Sequence, residues 1–132
     1  MIDKIKLIES ALEAQLKAIC PYSNYPVGAA LLSEDDNIII GFNIESKAYP
    51  TTLCAERVAI FSALSQGYTN FIAMSVVTTD GVAPCGSCRQ ILAEYAGDIP
   101  IIISDSNKNF KETTIFKLLN GRKMLRVSVY VQ

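Results

Sequence analysis

The sequence contains no histidine. That one absence removes Ser-His and Cys-His nucleophilic pairs and every His-ligated metal site, leaving thiolate, carboxylate, hydroxyl and amine chemistry. A basic excess is missing too. Lys and Arg number 12 against 13 Asp and Glu, a net charge of -1, which gives no electrostatic footprint for nucleic acid. Long hydrophobic runs are also lacking. The longest apolar stretches run about six residues, as in Val27 to Leu32, where a bilayer span needs roughly 18–20. The opening residues, Met1-Ile2-Asp3-Lys4-Ile5-Lys6, mix charge among apolar side chains and form no signal-peptide core. A cytoplasmic protein without membrane or nucleic-acid partners is the expectation.

The chain does hold enough apolar material for a core. Half of the 132 residues are hydrophobic and 19% are charged, which predicts one folded domain over residues 1–132. Ile5, Ile8, Leu12, Leu16 and Ile19 recur at helical spacing and predict an opening helix with that stripe buried, stopped by Pro21. Val27–Leu32 and Ile38–Ile44, joined by Asp35-Asp36-Asn37, predict a β-hairpin. A helix beginning near Leu53, capped by Thr51 or Thr52, is expected to turn Val58, Phe61 and Leu64 inward and end near Gly67. Phe71–Thr79 reads as a strand. Gly86–Ala96 reads as a helix with Cys88, Ile91, Leu92 and Tyr95 on one stripe. A short strand at Pro100–Ile103 and a helix at Thr113–Leu119 follow. The tail alternates Leu125, Val127, Val129 and Val131 with polar residues and predicts a half-buried strand. Strands separated by single helices require crossovers, so the pattern predicts a mixed sheet between helical layers.

Four cysteines are present. Cys85 and Cys88 stand three residues apart at a helix start, so both sulfurs can reach one ion. Cys54 opens another predicted helix. Helix N-termini lower thiol pKa and favour the thiolates that zinc binds, and three ligands leave the open fourth position of a catalytic site. A redox Cys-x-x-Cys pair and inert buried cysteines remain as alternatives. Cys20, at the end of the first helix, reads as a small core residue. Glu56, two positions after Cys54, can reach a metal held off the helix end and work as a general acid and base. Alternatively, it only complements the helix dipole.

The phrase Cys54-Ala55-Glu56-Arg57, followed by Pro84-Cys85-Gly86-Ser87-Cys88-Arg89-Gln90, resembles the zinc-dependent cytidine deaminase family. Tyr22-Ser23-Asn24-Tyr25-Pro26-Val27-Gly28-Ala29-Ala30-Leu31 is similar to its aromatic substrate loop and first strand, and Gly41-Phe42-Asn43-Ile44-Glu45 to its nucleoside-binding strand end. The likeness runs to about Leu119. It implies a three-layer α/β/α sandwich with a mixed β-sheet and hydrolytic deamination of cytidine or deoxycytidine. Cys54, Cys85 and Cys88 would bind Zn²⁺, and Glu56 would move protons between water, N3 and the departing amine. Arg57 would donate hydrogen bonds to the zinc-bound sulfurs, and the Ala55 backbone would touch the base. Asn43 and Glu45 would hold the ribose hydroxyls. Tyr25 stands where the family usually carries Phe against the base.

The resemblance also implies a homotetramer, or a dimer, with pockets completed across subunits. Other readings are a deaminase of a modified nucleoside such as blasticidin S, and a non-catalytic zinc-binding domain. The chain departs from the family at Ser46-Lys47. It departs again after Leu118-Leu119, where Asn120-Gly121-Arg122-Lys123 replaces the usual Pro-x-Ala-Phe. The alternating tail either supplies the missing closure from a sheet edge near an interface or only covers its own core.

One specificity follows from charge. Glu45 would repel a phosphate near the sugar, and Lys47 is the one cation close by in sequence, so nucleosides should be preferred to their monophosphates. Ammonia release compared at equal concentrations checks this; faster turnover of the monophosphate contradicts it.

Overall fold

The computed structural model describes residues 2–48, 52–82 and 86–119. Helix α1 spans Lys4–Leu16, with the Asp3 carboxylate accepting from the Lys6 amide as its cap. A hairpin of β1 (Gly28–Ser33) and β2 (Ile38–Phe42) follows. Next come α2 (Ala55–Ser65), β3 (Phe71–Val77), α3 (Gly86–Ala96), β4 (Pro100–Ser104) and β5 (Phe110–Thr114). A short helix at 115–119 ends the described chain. Among these residues no helix is long and apolar enough to cross a membrane.

The sheet runs β2-β1-β3-β4-β5. β1 pairs antiparallel with both β2 and β3, placing Ala30 opposite Ile40 on one side and Ser75 on the other. β3 and β4 pair in parallel, Ser75 opposite Ile102, which requires the crossover that α3 provides. β4 and β5 are antiparallel. Alternation along the strands sorts the core onto two faces. Ala30, Leu32, Ala73, Val77 and Ile102 pack with Leu7, Ile8 and Ala11 of α1. Ala29, Leu31, Met74, Val76, Ile101 and Ile103 pack on the other face with Ala59, Ile60 and Ala63 of α2 and Leu92 of α3. Helix, sheet and helix pair make the three layers expected, and the sheet is mixed.

The predicted stripes are buried only in part: Ile8 and Leu12 of α1, Leu64 of α2 and Cys88, Ile91 and Leu92 of α3 turn inward as expected, and the others do not. On α1 the buried residues are Leu7, Ile8, Ala11, Ala14 and Gln15, while Ile5 and Leu16 are exposed, Leu16 at 87%. Ile19 lies beyond the helix and is also exposed. On α2, Ala55, Glu56, Ala59, Ile60 and Ala63 go inward and Phe61 faces out. On α3, Cys88 and Leu92 are fully buried but Tyr95 is exposed, its ring edge-on to Phe61 at 6.4 Å between centroids. The reason is closeness of approach. A Cβ on Gly28 would lie 2.0 Å from the Ala11 carbonyl oxygen, and one on Gly41 would lie 2.4 Å from both the Ala55 oxygen and the Ala59 nitrogen. Helices set this near the strands present their alanine stripes to them, and larger side chains move to the flanks.

Three further expectations change. The second helix is capped at Cys54, not Thr51 or Thr52; the Thr52 hydroxyl instead accepts from the Ser46 amide at 3.0 Å. β5 was not legible, because Phe-Lys-Glu-Thr-Thr is a mostly exposed polar edge strand without apolar alternation; the helix after it occupies 115–119. Cys20 is only half-buried and belongs to neither apolar cluster, since it sits in the turn after α1. The expected tail strand lies outside the described residues.

Gly41→Ala should therefore lift α2 off β2. Urea unfolding is expected to show a loss of about 2 kcal/mol or more, the scale of an overpacked core. Wild-type stability in this variant would contradict the seating described.

Candidate active site

A cavity of about 360 Å³ opens where the start of α2 meets the ends of β1 and β3. Tyr25, Val27, Asn43, Cys54, Ala55, Glu56, Val76 and Thr78 lie on its walls, with Thr52, Leu53 and Val82 completing them. This size suits a small molecule. The chain before α2 is held in place by strand-like pairing outside the sheet. The Ile44 and Leu53 amides donate to each other's carbonyls at 2.9 and 2.8 Å. Ile19 donates to the Asn43 carbonyl at 2.9 Å and accepts from the Glu45 amide at 2.8 Å. These bonds fix where Cys54 stands.

Cys54 is the N-cap residue of α2, in extended conformation, and its side chain makes no capping bond. Its side chain borders the cavity. Glu56, in the first turn, is only 4% exposed and borders the same space. A helix-dipole partner ordinarily stands at a solvated helix end, whereas this carboxylate is sheltered on a cavity wall. Arg57 Nη2 donates to Ser87 Oγ at 2.6 Å, joining the first turns of α2 and α3. Cys88 is fully buried in that same first turn of α3. Two of the three predicted thiols thus belong to helix starts that a direct hydrogen bond holds side by side. Cys85 lies outside the described residues. The donor set fits zinc: soft sulfur ligands at helix N-termini, where partial positive charge favours the thiolate.

Asn43 is buried, at 9% exposed. Its Nδ2 donates to the Tyr25 carbonyl at 2.9 Å, and its Oδ1 accepts from the Val27 amide at 3.0 Å. It therefore splints the segment carrying Tyr25, and one N–H and one lone pair remain for a ligand. Glu45 is not on this cavity. It borders a neighbouring hollow with Tyr22, Ser23, Ser46 and Lys47, and Thr52 borders both. Glu45 Oε1 accepts from the amides of Tyr22 and Ser23 at 3.0 and 3.1 Å, and Oε2 accepts from the Ser23 hydroxyl. That hydroxyl bond is the main reason its carboxyl is held below the ordinary range. Tyr25 donates from its hydroxyl to Asp80 Oδ1 at 2.6 Å. Burial first, and then this bond, raises its pKa; the same bond lowers that of Asp80.

The structure thus brings Tyr25, Asn43, Cys54, Ala55 and Glu56 to one cavity, with Arg57 and Cys88 adjoining through Ser87, and sets Glu45 next door. Sequence reading missed Val27, Val76, Thr78 and Val82 on the walls, and Asp80 behind Tyr25. Val27 reads as the start of a strand but belongs to the connection that carries Tyr25, and the sheet order puts Val76 beside it.

Residues 1–103 match the family model described as the cytidine and deoxycytidylate deaminase zinc-binding region. A cytidine deaminase of Sporosarcina psychrophila is 48% identical over 123 residues, covering 91% of this chain and 90% of that protein. The crystal structure of cytidine deaminase from Burkholderia pseudomallei superposes with a TM-score of 0.84 at 40% identity, over 89% of this chain and 96% of that one. A blasticidin-S deaminase of Bacillus cereus is more distant, 32% identical over 87% of this chain and 88% of its own length.

Proposed function

The chain belongs to the zinc-binding cytidine and deoxycytidylate deaminase family, and from that premise we propose that it hydrolyses the 4-amino group of cytidine and deoxycytidine. The products are uridine or deoxyuridine and ammonia. The observation that carries this is the meeting, in one cavity, of a sheltered carboxylate, a helix-start thiol and an aromatic ring: Glu56, Cys54 and Tyr25. The higher identity to a cytidine deaminase, 48% against 32% for the blasticidin-S enzyme, supports cytidine as substrate. The position of Glu56 supports an enzyme over a non-catalytic zinc domain, which has no use for a carboxylate there.

In this reading Cys54, Cys85 and Cys88 would hold the zinc, which would supply Lewis-acid activation. Glu56 takes one proton from the attacking water and delivers it to N3 as the water oxygen bonds to C4. It then carries the second proton to the amino nitrogen as the C4–N bond breaks, so ammonia leaves and the oxygen stays on C4. Shelter from bulk water keeps both transfers between the carboxyl and the ring. Three thiolates on one Zn²⁺ would sum to -1, and Arg57, held beside the first turn of α3 through Ser87, would offset that charge by donating to the sulfurs. The Ala55 backbone meets the base, and the Tyr25 ring packs on it. Asn43 uses its remaining N–H and lone pair on a ribose hydroxyl, and Glu45 reaches the sugar from the adjoining hollow. The protein works as a single cytoplasmic domain in a homo-oligomer, a tetramer or else a dimer.

Glu56→Gln retains shape but cannot shuttle a proton. Turnover of cytidine should fall by about 10²-fold or more, while metal analysis still finds one zinc per chain. Undiminished turnover would falsify the role of Glu56. Ammonia release from blasticidin S but not from cytidine would move the substrate. Bound zinc without turnover of either would leave the non-catalytic reading.

A further inference from the structure

Two sets of hydrogen bonds meet at Tyr25, one on its backbone and one on its phenol. The Ser23 hydroxyl donates to Glu45 Oε2 and accepts from the Tyr25 amide at 3.1 Å. The Tyr25 phenol donates to Asp80 Oδ1 at 2.6 Å. The Thr78 hydroxyl lies 3.5 Å from that same oxygen, and it accepts from the Val82 amide at 2.9 Å. Tyr25, Thr78 and Val82 border the cavity, whereas Asp80 stands behind the ring, exposed. Tyr25 lies in a connection without helix or strand of its own, so the placing of its ring depends on what holds its two ends. Asn43 grips the backbone end through the Tyr25 carbonyl and the Val27 amide. Asp80 grips the far end, where the Thr78 side chain also meets the phenol.

We propose that Asp80 is a positioning residue for the substrate: by holding the Tyr25 hydroxyl it fixes the plane of the ring on which the pyrimidine packs, and it links that ring to the 78–82 turn. The proposal rests on the reading of Tyr25 as the base-packing residue. It depends on the hydroxyl that distinguishes Tyr25 from phenylalanine, which has nothing for Asp80 to hold. A solvent-facing bond of this kind adds little to the stability of the fold. Its effect is on orientation: a ring already in the binding plane pays less entropy when the base arrives. The direction of the two pKa shifts agrees with a phenol that keeps its proton toward a carboxylate that stays ionised.

The test compares wild type with Tyr25→Phe, Asp80→Ala, Asp80→Asn and the Tyr25→Phe/Asp80→Ala double variant. Cytidine KM should rise about three- to tenfold in Tyr25→Phe and in Asp80→Ala, the range one net hydrogen bond spans, with the change in KM and not in kcat. The double variant should be no worse than either single, and Asp80→Asn, which keeps an acceptor oxygen, should lie nearer wild type. Amide hydrogen exchange over residues 78–82 should quicken in both single variants while the thermal midpoint holds. Unchanged KM values, or penalties that multiply in the double variant, overturn the proposal. If wild-type protein releases no ammonia from cytidine, the functional reading fails by itself. Exchange then decides the clamp alone: quickening in both single variants upholds it, and unaltered exchange overturns it.

Discussion

Everything at this site depends on how closely α2 lies against the sheet. Gly41 on β2 has no Cβ, and the Ala55 carbonyl and Ala59 amide occupy the space where one would be. With the helix backbone against the strand, its first turn reaches the cavity, and Cys54 and Glu56 border the same small space. A helix one side chain farther out would carry both away from it. Gly28 does the same for α1 on the opposite face, where the Ala11 carbonyl fills the gap. The alanines along both helices are the counterpart of those two glycines, because only small residues permit such an approach on both sides of the contact.

That seating also explains the division of labour around the cavity. Rigid parts carry the groups that would react: Cys54 and Glu56 stand at the start of α2 and Cys88 in the first turn of α3, with Arg57 and Ser87 bonded between them. The groups that would meet the base and sugar lie on connections instead, and each connection is tied by side chains in place of a ladder. Asn43 splints Tyr25 and Val27, Glu45 gathers the amides of Tyr22 and Ser23, and Asp80 holds the Tyr25 hydroxyl. Residues that look like ligand contacts in sequence are therefore first of all braces for the loop. Fixed chemistry and braced recognition are the pairing expected where a reacting group must be held to within a fraction of an ångström.

What was legible in the sequence follows the same physics. The elements could be read because apolar periodicity and turn residues are local, and the Gly86–Ala96 helix falls where the pattern places it. That Cys54, Glu56 and Cys88 stand at helix starts could be read because helix-start signals are local too. The buried stripes could be read only in part. Large apolar residues such as Leu16 and Phe61 outweigh alanine in any periodicity, yet it is the alanines that touch the sheet. β5 was invisible because an exposed edge strand has no face to bury. Asp80 was invisible because its partner is 55 positions away, across the strand order. Glu45 reads as a neighbour of Asn43, but the two border different hollows, and the Tyr22 and Ser23 amides hold the Glu45 carboxylate in the second.

The central claim is hydrolysis at C4 of a cytosine nucleoside, and isotope transfer measures that bond most directly. Cytidine incubated with the purified protein in ¹⁸O-labelled water should give uridine carrying one label at C4, with one ammonia released for each uridine formed. No uridine, or uridine without the label, would contradict the account.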